Sequence, residues 1–326
     1  MRYYSMAALL SAALLLLSCT ERKVLPQAGI DFADLVPVMY DYCATDTLGR
    51  PALIEPVRTQ AEAFVKVISG EPMSDSVLTE WSTRLTTRVF TPAVDSVYPS
   101  REPVREALAR IVGGAEAEGL ELPRRSYATV VYGRPEAILF VDSVMLVALN
   151  HFLGAGYDGY GRWPQYIRQH KTPEALPYAM AEALVATSYP YRADAEGATL
   201  LSRMLYEGAL MRAVTGLVQD GDIRKALGYN EDDYAWLKAN EAELWTQIVG
   251  SRLLYDTSEA VAGRFVSPAP ALRGLDTLWP GRAGRYIGVR IVESYLGRHP
   301  EATPAFLLSP AFYASPTVLA ESGYKP

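Results

Sequence analysis

Two glutamates stand where helical patterning asks for apolar side chains, and they are the residues here best placed to do chemistry. Glu207 falls on a stripe of Leu200, Met204, Met211 and Val214, beside Gly208, and Glu241 falls between Leu237 and Leu244. A carboxylate taken from water is costly unless paired, so each must meet an arginine, a lysine or backbone donors. One outcome is an acid/base or metal-binding pair, since perturbed carboxylates gather at working sites. The other is structural ion pairing, with Arg282, Arg285 and Arg290 as partners. The soft edges of helix stripes, where a glutamate can reach solvent, favour the second.

Other chemistries lack their residues. The only histidines are His151, His170 and His299, none within five residues of another. That removes the paired-histidine helix of zinc peptidases and most structural metal sites. No Gly-x-Ser-x-Gly elbow and no Gly-x₄-Gly-Lys-Ser/Thr phosphate loop occurs. No cofactor is expected. Net charge is −6 and basic residues never run beyond pairs, so nucleic acid is not an expected partner.

The elements that must position these groups begin after a leader. Arg2, a mostly apolar run over residues 7–17 and Ser18 precede Cys19. This is a secretory signal with a lipoprotein processing site, so residues 1–18 are expected to be removed and Cys19 acylated. The apolar run is shorter than the roughly 20 residues a membrane span needs, and two or more acyl chains give a stable anchor. Cys43 is then the sole thiol, so an internal disulfide is excluded and the core must hold the fold. The hydrophobic fraction of 49% and charged fraction of 21% suit such a core.

Along the chain we expect a lipidated tether over 19–29, a helical region over 30–122, and a small sheet plus helices over 123–326, with the two larger parts packed as one unit. Ser74 caps a helix carrying Leu78, Trp81, Leu85 and Val89, and Ser100 caps one carrying Val104, Leu108, Ile111 and Ala115 that Gly113-Gly114 and Gly119 weaken and end. Runs at 127–132, 138–141 and 145–149, broken by Gly133-Arg134-Pro135 and Asp142-Ser143, read as a small antiparallel sheet. A loop rich in glycine with Tyr157 and Tyr160 follows; it reads as tight turns with packed tyrosines or as a binding loop. Helices are expected over 173–187, 198–218 and 284–298, and over a stripe of Tyr234, Leu237, Leu244 and Ile248 capped by Asn230. The fold class is α+β: mainly α-helical with one small sheet.

Local patterns in order resemble the gliding-motility-associated lipoprotein family GldB of the Bacteroidetes. They are Asp95-Ser96-Val97-Tyr98-Pro99, Asn150-His151-Phe152-Leu153-Gly154 with Tyr157 (Asn150 standing where the family has an acid), and Pro164-Gln165-Tyr166-Ile167-Arg168. Asn240-Glu241-Ala242-Glu243-Leu244-Trp245, Leu253-Leu254-Tyr255, Pro280-Gly281-Arg282 with Gly284 and Gly288, Ile291-Val292-Glu293-Ser294-Tyr295 and Tyr324-Lys325-Pro326 complete the series. The resemblance covers the C-terminal two thirds well and residues 20–96 loosely. The family's layout is in turn similar to predicted zinc peptidases (gluzincin-like), whose His-Glu-x-x-His helix would fall on Ala181-Glu182-Ala183-Leu184-Val185 and whose next Glu-Gly would be Glu207-Gly208. Without the histidines, Glu182 has no metal-bound water to deprotonate, and the resemblance implies a peptidase scaffold that has lost its metal.

The resemblance thus implies a non-enzymatic envelope lipoprotein, held to the membrane through Cys19. It would contact other proteins of a motility or secretion apparatus. Thr20 after the cysteine favours the outer membrane over the inner. Two other readings stay open: a metal-independent or degenerate peptidase-like hydrolase using Glu182, Glu207 or Glu241, and a periplasmic peptide- or glycan-binding module using Tyr157 and Tyr160.

Overall fold

The computed structural model describes residues 24–192 and 198–326, so the signal peptide and Cys19 lie outside the described residues. Four strands form one sheet in the order β1-β2-β4-β3: β1 (Asp31–Asp34), β2 (Ser126–Val130), β3 (Ile138–Val141) and β4 (Val144–Ala148). β1 runs parallel to β2 and β2 parallel to β4; only β3 and β4 are antiparallel, joined through Asp142-Ser143 with Asp142 at φ 51°. The α+β class is as expected, but the sheet is mixed rather than antiparallel.

The reason lies in β4. All five of its side chains are buried, Met145 and Val147 toward one apolar cluster and Val144, Leu146 and Ala148 toward another. An unbroken apolar run signals a strand covered on both faces, which is the habit of parallel sheets, whereas a half-solvated antiparallel strand alternates.

Helices Leu35–Asp41, Arg58–Ser69 and Asp75–Thr83 cover one face, with Leu35, Phe64 and Trp81 in its core. The other face receives Glu102–Ala117 and the C-terminal helices. The sheet therefore lies between two helical layers. Residues 30–122 contribute to both.

Several helices differ from the sequence reading. The stripe from Leu78 to Val89 breaks at Arg84, whose ψ of 144° ends one helix before the next begins at Leu85–Val97; Leu85 and Val89 are exposed in consequence. The stripe from Tyr234 to Ile248 likewise divides at Asn240 into Glu231–Ala239 and Glu241–Gly250. Gly113 and Gly114 do not end their helix. A Cβ on Gly113 would stand 2.5 Å from the Pro26 carbonyl oxygen, so the bare backbone there is the bed on which the incoming chain lies. Leu25 is buried, with its N–H donating to Gln219 Oε1 at 3.0 Å, and the Ala28 N–H donates to the Ala109 carbonyl at 2.9 Å. Part of the segment expected to be a tether is thus packed onto the body.

The heart of the larger layer is a crossing of Leu200–Leu217 with Ala283–Arg298. Thr199 caps the first with a reciprocal Ser202 contact. Gly208 and Gly288 face each other where the helices cross: a Cβ on Gly288 would come 1.8 Å from the Met204 carbonyl oxygen. Leu200–Leu217 is buried almost all round, as a central helix must be. No helix among the described residues is long and apolar enough to cross a membrane.

Candidate functional site

The glycine-paired crossing sets Glu207 and Arg285, each one turn or less from the contact, against each other inside the protein. Leu176–Ser188 packs alongside and contributes Glu182. Arg285 lies between the two carboxylates, its Nη1 2.9 Å from Glu182 Oε1 and its Nε 2.9 Å from Glu207 Oε2. The second contact is an ion pair without the alignment of a hydrogen bond, so Glu207 Oε2 and Arg285 Nε keep unused hydrogen-bonding capacity. Glu207 Oε1 accepts from Arg203 Nε, one helical turn back, at 2.9 Å. Arg203 in turn lies over the Tyr191 ring at 4.8 Å.

The electrostatics follow this geometry. Glu207 is 2% exposed, so it does not reach solvent and the soft-edge expectation fails for it; two guanidinium groups neutralise it instead. Burial works against charge on Glu182, but Arg285 and then Arg282 outweigh it and hold the carboxyl below its usual range. Burial also works against Arg285, and the two carboxylates more than offset it, so the guanidinium is held above its ordinary range. Glu182 and Glu207 are brought together with a guanidinium between them. Among the described residues no group of three or more His, Cys, Asp or Glu side chains is placed to hold a metal ion.

Glu241 sits elsewhere. Its Oε2 accepts from Tyr286 Oη at 2.5 Å and its Oε1 from Tyr324 Oη at 2.9 Å, with Arg290 Nε within 3.1 Å of both oxygens. Burial, and then Glu241 itself, push both phenols well above the ordinary tyrosine range. The group ties the end of the chain to a core helix.

A further polar group went unread in the sequence. Lys171 Nζ is 2.8 Å from His151 Nδ1, whose Nε2 faces the Arg134 carbonyl at 2.9 Å. Burial lowers the Lys171 pKa to about 8, and burial followed by Lys171 lowers that of His151 to about 4. The amide of Asn150 pairs with the N–H and C=O of Tyr132. The available signal was polar Asn150-His151 directly after a fully apolar strand.

The tyrosine loop folds onto this group. Tyr160 is buried, its hydroxyl donating to the Asn150 carbonyl at 2.7 Å and accepting from the Leu153 N–H at 3.0 Å. The Tyr157 ring packs edge-on against it, 5.1 Å between centroids. Packed turns, rather than an open aromatic pocket, describe it.

A cleft of about 500 Å³ opens nearby, between residues 164–170, 228–230, 268–270 and 280–282. His170 and Arg282 line it; Glu182, Glu207 and Glu241 do not.

Fold and site together define an α+β protein whose interior acids are held by arginine and tyrosine, with a family-sized signature running through nearly all of it. The family model described as "Gliding motility protein GldB", a lipoprotein family, matches residues 41–326, and this chain belongs to that family. The match reaches well into the N-terminal helices, beyond the region where local patterns were clearest. No curated protein and no solved structure matches the chain.

Proposed function

We propose that this protein is a lipid-anchored component of the cell envelope that acts in gliding motility, or in the secretion apparatus allied to it, through contacts with other proteins and without catalysis. Acyl chains on Cys19 would hold it to the outer membrane. The observation that carries the reading is the state of the interior acids. Glu207 is locked between Arg203 and Arg285, Glu182 shares Arg285, and neither lines the cleft; the carboxylate that does, Asp233, is held by the Asn230 amide at 2.9 Å. Membership of a gliding-motility family supplies the process.

Cross-linking in intact cells, followed by detergent purification of the tagged chain and mass spectrometry, tests it. Recovery of motility or secretion-channel subunits, lost with Cys19→Ala, is the expected result; normal gliding and secretion in cells lacking the gene would sink the reading. Absence of catalysis has its own test. Glu182→Gln keeps an oxygen for Arg285 but removes the acid/base group, and gliding speed is expected to be unchanged.

A further inference from the structure

Arg203 and Arg285 are matched by Glu207 and Glu182, which leaves Arg282 as a surplus positive charge at the edge of the same network. Among the described residues it has no carboxylate at ion-pair distance. Its Nε is shielded from solvent and makes no hydrogen bond, and its Nη1 reaches only the Leu227 carbonyl at 3.4 Å. Glu182 and Glu207 offset its charge only from beyond ion-pair distance, and burial followed by the Arg285 charge lowers its pKa to about 10, which still leaves it a cation at neutral pH. Its backbone is strained as well: φ is 65°, a left-handed conformation that non-glycine residues adopt rarely and that marks functional positions. This residue caps the N-terminus of Ala283–Arg298, whose dipole adds positive potential. Both costs fall on a side chain that lines a cleft.

We propose that this cleft binds a carboxylate-bearing peptide segment of a partner protein, with Arg282 receiving the carboxylate. Its volume, about 500 Å³, is within the range of ligand sites. Pro268, Pro270 and Tyr166 give it apolar walls, and the amides of Gln165 and Gln169 supply both donors and acceptors suited to a peptide backbone. His170 beside Arg282 is neutral, its pKa lowered to about 4 by burial and then by Arg282, so it adds hydrogen-bonding capacity without competing for the anion. The remaining charged group of the lining is Asp233, whose carboxylate is held by the Asn230 amide at 2.9 Å. The inference rests on the protein-contact reading only for the kind of occupant.

The test is calorimetric titration of the purified full chain in detergent with three acetylated tetra-alanine probes: one with a free C-terminal carboxylate, one amidated, and one amidated with an internal glutamate. A carboxylate probe is expected to bind about 10- to 100-fold more tightly than the uncharged amide, the value of charge-assisted hydrogen bonds to a guanidinium. That advantage should vanish in Arg282→Asn, which tolerates the left-handed backbone. It should fall several-fold in Gln169→Glu, a rim change that places a like charge beside the ligand while leaving Arg282 alone. Preference for the terminal or the internal carboxylate tells a chain end from an acidic side chain; either supports the proposal. Equal binding of acid and amide, no binding of any probe, or an advantage that survives in both folded variants overturns it. Cross-linked partners that persist while probe binding fails would overturn the cleft and leave the protein-contact reading standing; probe binding with no partners recovered would do the reverse.

Discussion

Glu207 and Glu241 look alike in the sequence, each a carboxylate interrupting an apolar stripe, yet the protein neutralises them by different means. Around Glu207 the compensation is charge on charge: two guanidinium groups approach a 2%-exposed carboxylate, and one of them also serves Glu182. Around Glu241 it is mainly neutral donors, two phenols with one half-exposed arginine. The difference teaches what each site is for. A buried ionic network is severely punished if one member is removed but contributes little net stability when whole. A carboxylate satisfied by phenols works as a clamp on a chain end, and it loosens by degrees.

Breaking the Glu207 side should produce the largest effect. Arg285→Met leaves Glu207 with Arg203 alone and takes from the partly exposed Glu182 its close partner, and is expected to cost about 3 kcal/mol in denaturant unfolding, whereas Arg285→Met combined with Glu182→Gln and Glu207→Gln should recover much of that loss. If the single change costs under about 1 kcal/mol, the charges are not buried as described. Next comes the crossing that sets the register. Gly288→Ala forces the Leu200–Leu217 and Ala283–Arg298 helices apart and should cost about 3 kcal/mol by thermal or chemical unfolding.

Acidification sharpens the contrast in a third way. His151 and His170 have folded pKa values of about 4 against 6.5 when unfolded. Because the folded values are depressed, the unfolded chain binds more protons below pH 6.5. Stability is therefore fully present above that pH and is lost as pH falls toward about 4. Between about pH 7 and 5.5 the loss should be roughly 1 kcal/mol per histidine. His151→Gln and His170→Gln should each flatten the profile; a flat wild-type profile would contradict the burial of both. The smallest effect belongs to the clamp. Tyr324→Phe removes one hydrogen bond to Glu241 and should cost about 1 kcal/mol, with faster amide exchange confined to the C-terminal helix Val318–Ser322.

How much of this could be read from the chain differs by element. Strands β2, β3 and β4 were legible from their β-branched runs, and Asn230 from its cap, which Asp233 N–H completes at 2.7 Å. Strand β1 was not: four residues with aspartate at both ends carry no strand pattern, and only pairing with Ser126–Val130 makes them one. The break at Arg84 was hidden because the apolar spacing continues past it while the backbone turns. Arg282, Arg285 and Arg290 were named as ion partners from sequence; Arg285 and Arg290 are, and Arg282 has no carboxylate at ion-pair distance among the described residues. Which glutamate each would meet was not legible, because that depends on the helix crossing at Gly208 and Gly288, a contact between residues 80 apart. The surplus charge on Arg282 was invisible for the same reason. It emerges only after the other arginines have been assigned.

The seating of Leu25 against Gln219 would make the proposed anchor a short leash. It lies six positions beyond Cys19, and an extended chain covers at most about 3.5 Å per residue, so the acyl chains proposed for Cys19 would keep the globule within about 20 Å of the bilayer. That length is comparable to a few headgroup layers and far less than a free linker would allow. The body would lie almost on the lipid, with the surface near Ala109 and Gln219 turned toward it. Proteins meeting it would arrive sideways along the membrane or from the side facing away.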